Sequence, residues 1–272
     1  MESAILTFWL PAANGTSSKT KIPGNLMSSR FFTVDSIEND QVTLVDEQAH
    51  HLMHVLRIKV GQEVTVFDGS GLEAKAHVDS MTKRDVQLSI LQRQSVDREL
   101  PVNLTLAVAI PKGDRQKVLV EKLVEIGVST LIPITTERSV AQPKEKSLER
   151  LRKSVIEASK QCERNRLMCI ESPRTVSQLI ADGEFQTAQR MIATTHGATT
   201  PIANVKLDPA ANQLLVVIGP EGGFTLSENE TAAANGFQAI QLGHRILRVE
   251  TAAIAVAAIL GIGVQTEFAQ LR

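Results

Sequence analysis

Two short stretches hold most of the residues able to do chemistry. Gly219-Pro220-Glu221-Gly222-Gly223 gathers three glycines and a carboxylate. Gly243-His244-Arg245-Ile246-Leu247-Arg248-Val249-Glu250-Thr251 gathers two guanidinium groups and a second carboxylate. Glycine lets the backbone take positive φ and approach a ligand closely, while Pro220 fixes φ and removes one amide donor. Such loops can wrap a small molecule in their own N–H and C=O groups, with charged side chains at hand. Loops of this kind also serve as plain turns in doubly wound sheets, so the elements around them matter.

Those elements are readable. Leu214 to Ile218 is an apolar, mostly β-branched run that breaks at Gly219, as a buried strand would. Thr225-Leu226-Ser227-Glu228 carries the start of a capping box. Ala239 to Gly243 reads as a second strand, and Thr251 as the N-cap of an Ala-rich helix. Arg190 to Thr195 reads as a third strand, ending in Thr195-His196-Gly197. Upstream, strand Asn103 to Ile110, helix Gln116 to Ile126 closed by Gly127, strand Thr130 to Ile134 and helix Leu148 to Cys162 alternate as in a parallel α/β sheet.

The first third differs. Gln41 to Val45, Glu63 to Phe67, Leu72 to Val78 and Val86 to Leu91 are short alternating runs separated by turns such as Asp68-Gly69-Ser70-Gly71, which predicts a small β-barrel. One helix, Glu47 to Leu56, interrupts it. His51 and His54 sit at i,i+3 on that helix, but no acidic partner or H-E-x-x-H pattern accompanies them, so no metal is expected. Arg98 to Pro101 reads as a linker. Residues 1–27 are polar around one apolar patch and lack the basic start of a secretory signal, so they are expected to be a disordered extension.

The formal net charge of −1 hides an uneven distribution: Pro101 to Met168 holds 13 Lys or Arg against 8 Asp or Glu. Lys112, Arg115, Lys117, Lys122, Arg138, Arg164 and Arg166 cluster around strand ends and helices, where an open sheet places its ligand crevice. Cys162 and Cys169 match no metal or redox spacing, and the apolar run Ala252 to Val264 is too short to span a bilayer.

IGPEGGF followed by LGHRILRVETA resembles the signature of the SPOUT methyltransferases that modify uridine N3 in small-subunit ribosomal RNA, the RsmE family. KGDRQKVLVEKLVEIGV, TERSV and QCERNR look like further family blocks, and HLMHVLR with GQEVTVFDGSG resembles the family's PUA-like RNA-binding domain. Lys160, Glu163 and Met168 depart from the usual residues of the QCERNR block.

The resemblance implies a PUA-like β-barrel over 28–98, then over 99–272 a trefoil-knotted parallel sheet with helices on both faces. It implies S-adenosylmethionine as cofactor, held by Thr195, His196, Gly197, Ile218 to Gly223, Leu242, Gly243, Ile246, Leu247, Arg248, Thr251 and Ala252. Arg30, His54, Arg57, Lys112, Lys117, Lys122, Arg138, Arg164 and Arg166 would meet RNA.

Uridine N3 is a weak acid that attacks well only after losing its proton, so a base or a cationic stabiliser is needed. Arg248 and Arg245 are the expected stabilisers or phosphate grips, and Glu221 or Glu250 the base or orienter. Glu250 is equally readable as a structural partner of an arginine. A cytoplasmic homodimer acting on 16S RNA or the assembled small subunit follows from the same resemblance. The competing readings are a non-catalytic RNA-binding protein with a degenerate cofactor fold and a ribose 2′-O-methyltransferase of the same superfamily.

Overall fold

The computed structural model describes residues 29–139, 145–181, 183–197 and 199–269, with the side chains of 266–269 excepted; the expected extension 1–27 lies outside the described residues. Strands β1 (Arg30–Phe32), β2 (Gln41–Leu44), β3 (Glu63–Phe67), β4 (Leu72–Met81) and β5 (Val86–Ser95) form one sheet in the order β1-β3-β4-β5-β2. Their alternating inward residues, among them Val42, Leu44, Val64, Val66, Ala76, Val78 and Leu88, fill a single core. Register shifts in the long β4–β5 pair, between Lys75 and Ala76 and between Val78 and Ser80, interrupt its ladder where the sheet must bend. The two edges meet just past β1, where Thr33 Oγ1 donates to Thr43 O at 3.4 Å and Thr43 N donates to Asp35 Oδ2 at 2.8 Å.

The expected helix Glu47 to Leu56 is two pieces. Helix α1 (Asp46–His50) continues as a π-helical turn, His51–Val55. The wider turn keeps Leu52 in the barrel core while His50 and His54 stack outside with ring centroids 4.8 Å apart. His51 instead packs against Phe31, and burial, with the nearby Lys160 ammonium, lowers its pKa.

The remainder is α/β. In chain order it runs β6 (Asn103–Val108), α2 (Arg115–Ile126), β7 (Thr130–Thr135), α3 (Glu145–Gln161), β8 (Cys169–Ile170), β9 (Arg174–Thr175), α4 (Val176–Ala181), β10 (Gln189–Ala193), β11 (Thr200–Pro201), β12 (Gln213–Ile218), α5 (Leu226–Ala234), β13 (Gln238–Gln241) and α6 (Val249–Ala269). The strands pair in parallel in the order β11-β13-β10-β12-β6-β7-β8, with β9 also on β7. Successive residues of a strand serve opposite cores. Leu214, Val216 and Ile218 pack with α2, α3 and α6, whereas Leu215 and Val217 pack with α4 and α5. Burial on both faces is why these strands read as unbroken apolar runs.

Local signals mostly agree with the chain's reading. Gly127 closes α2 at φ +98, and Thr225 with Glu228 forms a complete capping box on α5. Thr251 is not an N-cap, because α6 already begins at Val249 and places Thr251 in its first turn.

The barrel is joined to the α/β part by buried ions. Arg30, 4 % exposed, donates to Glu73 Oε2 at 2.7 Å and also to Asn165 of the loop after α3. Glu73 further accepts from Gln94 at 2.5 Å and from Arg98 at 3.1 Å. Arg164 donates twice to Glu99 Oε2 and Oε1, at 2.5 and 2.9 Å, and caps the end of α2 through the carbonyls of Val124 and Val128. Arg30 and Arg164 were expected to face RNA; both are instead turned inward, each paired with a carboxylate at the domain joint, Glu73 and Glu99.

Burial alone would raise the Glu73 carboxyl, but hydrogen bonds from Arg30, Gln94 and Arg98 hold it down at about 2. A carboxyl depressed in the folded state stabilises above its unfolded pKa and loses that contribution as pH falls through the folded value. Stability should therefore drop by about 3 kcal/mol on this group's account as pH falls from about 4.5 to about 2. In denaturant titrations Glu73→Gln should be less stable at neutral pH and show a shallower acid loss; an acid limb as steep as the parent's would contradict the joint.

Candidate active site

Sheet order explains how residues distant in sequence become neighbours. β10 lies between β12 and β13, so the loops leaving the carboxyl ends of these three strands emerge side by side. They enclose a cavity of about 360 Å³. Its walls are Ala193 to His196 after β10, Ile218 to Gly223 after β12, and Ile240 to Leu247 around the end of β13, with Val249 and Ala252 of α6 completing it.

The glycine loop after β12 is fixed from several sides. Gly223 N donates to Pro220 O at 2.8 Å, closing a turn in which Gly223 holds φ +67. A Cβ at Gly219 would stand 3.0 Å from the ring of Phe224, itself buried beneath the loop, so no larger residue fits without displacing that ring. Arg138 Nη1 donates to Gly222 O at 2.7 Å. Glu228 of the capping box also accepts from Glu137 N at 3.0 Å, tying the loop after β7 to the loop after β12.

The cavity gathers Thr195, His196, Ile218, Gly219, Pro220, Glu221, Gly222, Gly223, Leu242, Gly243, Arg245, Ile246, Leu247 and Ala252 of the expected residues. Gly197, Arg248 and Thr251 are not among its lining: Gly197 is exposed one residue beyond His196, and Thr251 is exposed on α6. Arg248 is exposed and makes no side-chain hydrogen bond among the described residues.

Glu250 is 8 % exposed and does not line the cavity. It is one of two carboxylates on Arg115, whose Nη1 lies 3.4 Å from both Glu250 Oε2 and Glu221 Oε1. Its contact is with an arginine, and its side chain stands outside the cavity wall.

Of the basic residues, Lys112, Lys117, Lys122, Arg138 and Arg166 are exposed, as are His54 and Arg57 on the barrel. Lys117 and Lys122 pair with Glu121 and Glu125 on the surface of α2. Sequence reasoning missed Ala193, Thr194, Ile240 and Gln241 as lining residues, although the rule that ligands sit at strand carboxyl ends pointed to them, and it missed Val249 at the start of α6. It placed Arg115 with the basic residues at the strand ends but gave it no carboxylate partners.

Comparison with known proteins fits this geometry. Residues 44–91 match the family model of the RNA methyltransferase PUA domain, and residues 98–261 that of the RNA methyltransferase domain. The ribosomal RNA small subunit methyltransferase E of Synechocystis sp. is 33% identical over 258 residues, 91% of this chain and 84% of that protein. The Bacillus subtilis enzyme of the same name is 31% identical, covering 83% of this chain and 90% of its own length. The crystal structure of the Neisseria gonorrhoeae ribosomal RNA small subunit methyltransferase E, bound to S-adenosyl methionine, superposes with a TM-score of 0.77 at 30% identity, over 88% of this chain and 98% of that one. A putative methyltransferase of Legionella pneumophila, also in complex with S-adenosyl methionine, gives 0.79 at 28% identity over the same shares. With both domains matched and relatives aligned along nearly their full length, the chain belongs to the ribosomal RNA small subunit methyltransferase E family.

Proposed function

We propose that this chain methylates N3 of a uridine in the 16S RNA of the small ribosomal subunit, using S-adenosylmethionine. The observation that carries the reading is the convergence of three strand-end loops on one cavity whose size falls in the range of small-molecule sites, about 300–1,000 Å³. The residues present fit that cofactor. Glycines at 219, 222, 223 and 243 leave backbone groups bare, and a Cβ at Gly223 or Gly243 would meet no protein atom within 4 Å. Ile218, Leu242, Leu247 and Ala252 give apolar contact for a base and a thioether chain.

When bound, S-adenosylmethionine supplies an electrophilic methyl group on a positively charged sulfur. The chain holds it through the backbone of 219–223 and 242–247. Glu221, which lines the cavity and is half exposed, is placed to accept the N3 proton at a carboxylate oxygen. Arg245, also on the cavity wall, can steady charge there, and the exposed Arg248 can grip a phosphate of the RNA strand. The exposed cations Lys112, Arg138, Arg166, His54 and Arg57 form the RNA-facing set on this reading.

The insertion of β13 between β10 and β11, ahead of α6, supports the expected trefoil knot. The exposed Ile246 and Ile259 support pairing of two copies through α6 and the loop after Gly243. With ribosomal RNA as substrate, the reaction belongs in the cytoplasm.

Calorimetric titration should show saturable binding of S-adenosylmethionine and none of NADH. Gly243→Val, forced to hold φ +95 with a β-branched residue, should weaken that binding about tenfold or more while the protein stays folded. RNA incubated with enzyme and cofactor should yield N3-methyluridine on digestion; a 2′-O-methylated nucleoside, or none, would refute the assignment. The affinity for RNA should fall steeply with salt, with a log–log slope of about −2 or steeper for three or more phosphate contacts. A flat salt dependence would remove the basic face from the account.

A further inference from the structure

Beside the cofactor cavity lies a second, smaller one of about 170 Å³. Pro111, Lys112 and Arg115 from the β6–α2 connection line it, with Ile134 of β7 and with Pro220 and Glu221 of the glycine loop. Pro220 and Glu221 line the cofactor cavity as well, so the two spaces share a wall. The second is below the size of sites that take whole ligands, roughly 300–1,000 Å³, which suits a single flat ring rather than a nucleotide with its phosphate.

Its charges are arranged in a particular way. Arg115 is held at one end: Nη1 alone meets both Glu221 and the buried Glu250, each at 3.4 Å. Among the described residues, Nε and Nη2 of the same guanidinium make no hydrogen bond, and Lys112 makes no ion pair. A planar donor fork is thus fixed at one corner and open along an edge, beside apolar walls from Pro111, Ile134 and Pro220.

Resting on the function proposed above, we propose that this second cavity receives the acceptor uracil and that Arg115 is a catalytic residue that stabilises its N3 anion. Uracil presents two carbonyl oxygens flanking N3–H. When the proton leaves, the negative charge spreads onto those oxygens, and the open edge of the guanidinium, with Lys112 nearby, offers donors to them. Glu221, on the shared wall, takes the proton as the N3–H bond breaks. The freed electron pair on N3 forms the new N–CH₃ bond, while the S–CH₃ bond breaks and its pair stays on sulfur, neutralising the sulfonium. Glu221 then returns the proton to solvent. Buried Glu250 acts as a positioning residue, holding the guanidinium in place.

The test uses the full-length protein, S-adenosylmethionine and a 16S RNA fragment that the wild type methylates, under single-turnover conditions. Arg115→Ala should slow transfer about 100-fold or more, as loss of one anion-stabilising donor does. Its dissociation constants for cofactor and RNA should stay within about threefold of wild type. Added guanidinium should restore part of the rate. The variant's rate should also keep rising with pH beyond the point where the wild type levels off, because unassisted ionisation of uracil then limits it. Arg115→Lys, which keeps charge but loses the fork, should fall between the two and serves if the alanine variant does not fold.

A rate within about twofold of wild type would overturn the proposal, as would a loss accounted for entirely by weaker cofactor or RNA binding. So would an absence of guanidinium rescue with an unchanged pH profile. A wild-type enzyme that transfers no methyl group to any uridine would overturn the parent reading instead, and is seen before any variant is made.

Discussion

The pairing of β10 with β12 on one side and β13 on the other is the constraint on which the site depends. Each ladder is short, three to five residues in register, yet it sets three chain reversals at one edge of the sheet. Without β13 in that place, the Gly243 loop would have no reason to face the Gly219 loop. The glycines supply what the pairing then requires, backbone that can be approached closely from the cavity. Phe224 beneath Gly219 and Arg138 on Gly222 hold the middle loop in shape.

A second layer of support is ionic and lies away from the cavity. The joint of Arg30, Glu73, Arg98 and Asn165 fixes the barrel against the loop after α3, and Arg164 with Glu99 fixes that loop against the end of α2. Buried ion pairs of this kind add little net stability over apolar packing, but breaking one leaves a stranded charge. Their effect here is positional: the barrel's exposed His54 and Arg57 keep one orientation relative to the α/β part. An RNA strand meeting both parts then meets a defined surface.

Much of this was legible in the chain. Four of the five barrel strands, the alternating β-α order, the cap at Gly127, the capping box at Thr225 and the two glycine loops all follow from local pattern, because each depends on residues within a few positions; β1, only three residues long, did not stand out. What local pattern could not supply was partnership across the chain. Arg30 and Arg164 read as surface cations, and only partners 43 and 65 positions away turn them inward. Arg115 reads as one more helix charge until Glu221 and Glu250, 106 and 135 positions on, are seen to hold it. Thr251 reads as a cap because its type is right, and the helix starts two residues earlier because Val249 is drawn into the core. The cofactor, and the acceptor proposed for it, rest on the family resemblance, which no periodicity carries.

The proposed function requires the three loops after β10, β12 and β13 to act together as one cofactor site. Hydrogen exchange measured with and without S-adenosylmethionine tests it most directly. Amides in 194–197, 219–223 and 242–247 should slow together on binding, while exchange in the barrel sheet stays as it was. Protection confined to one of the three loops, or absent from all of them, would contradict it.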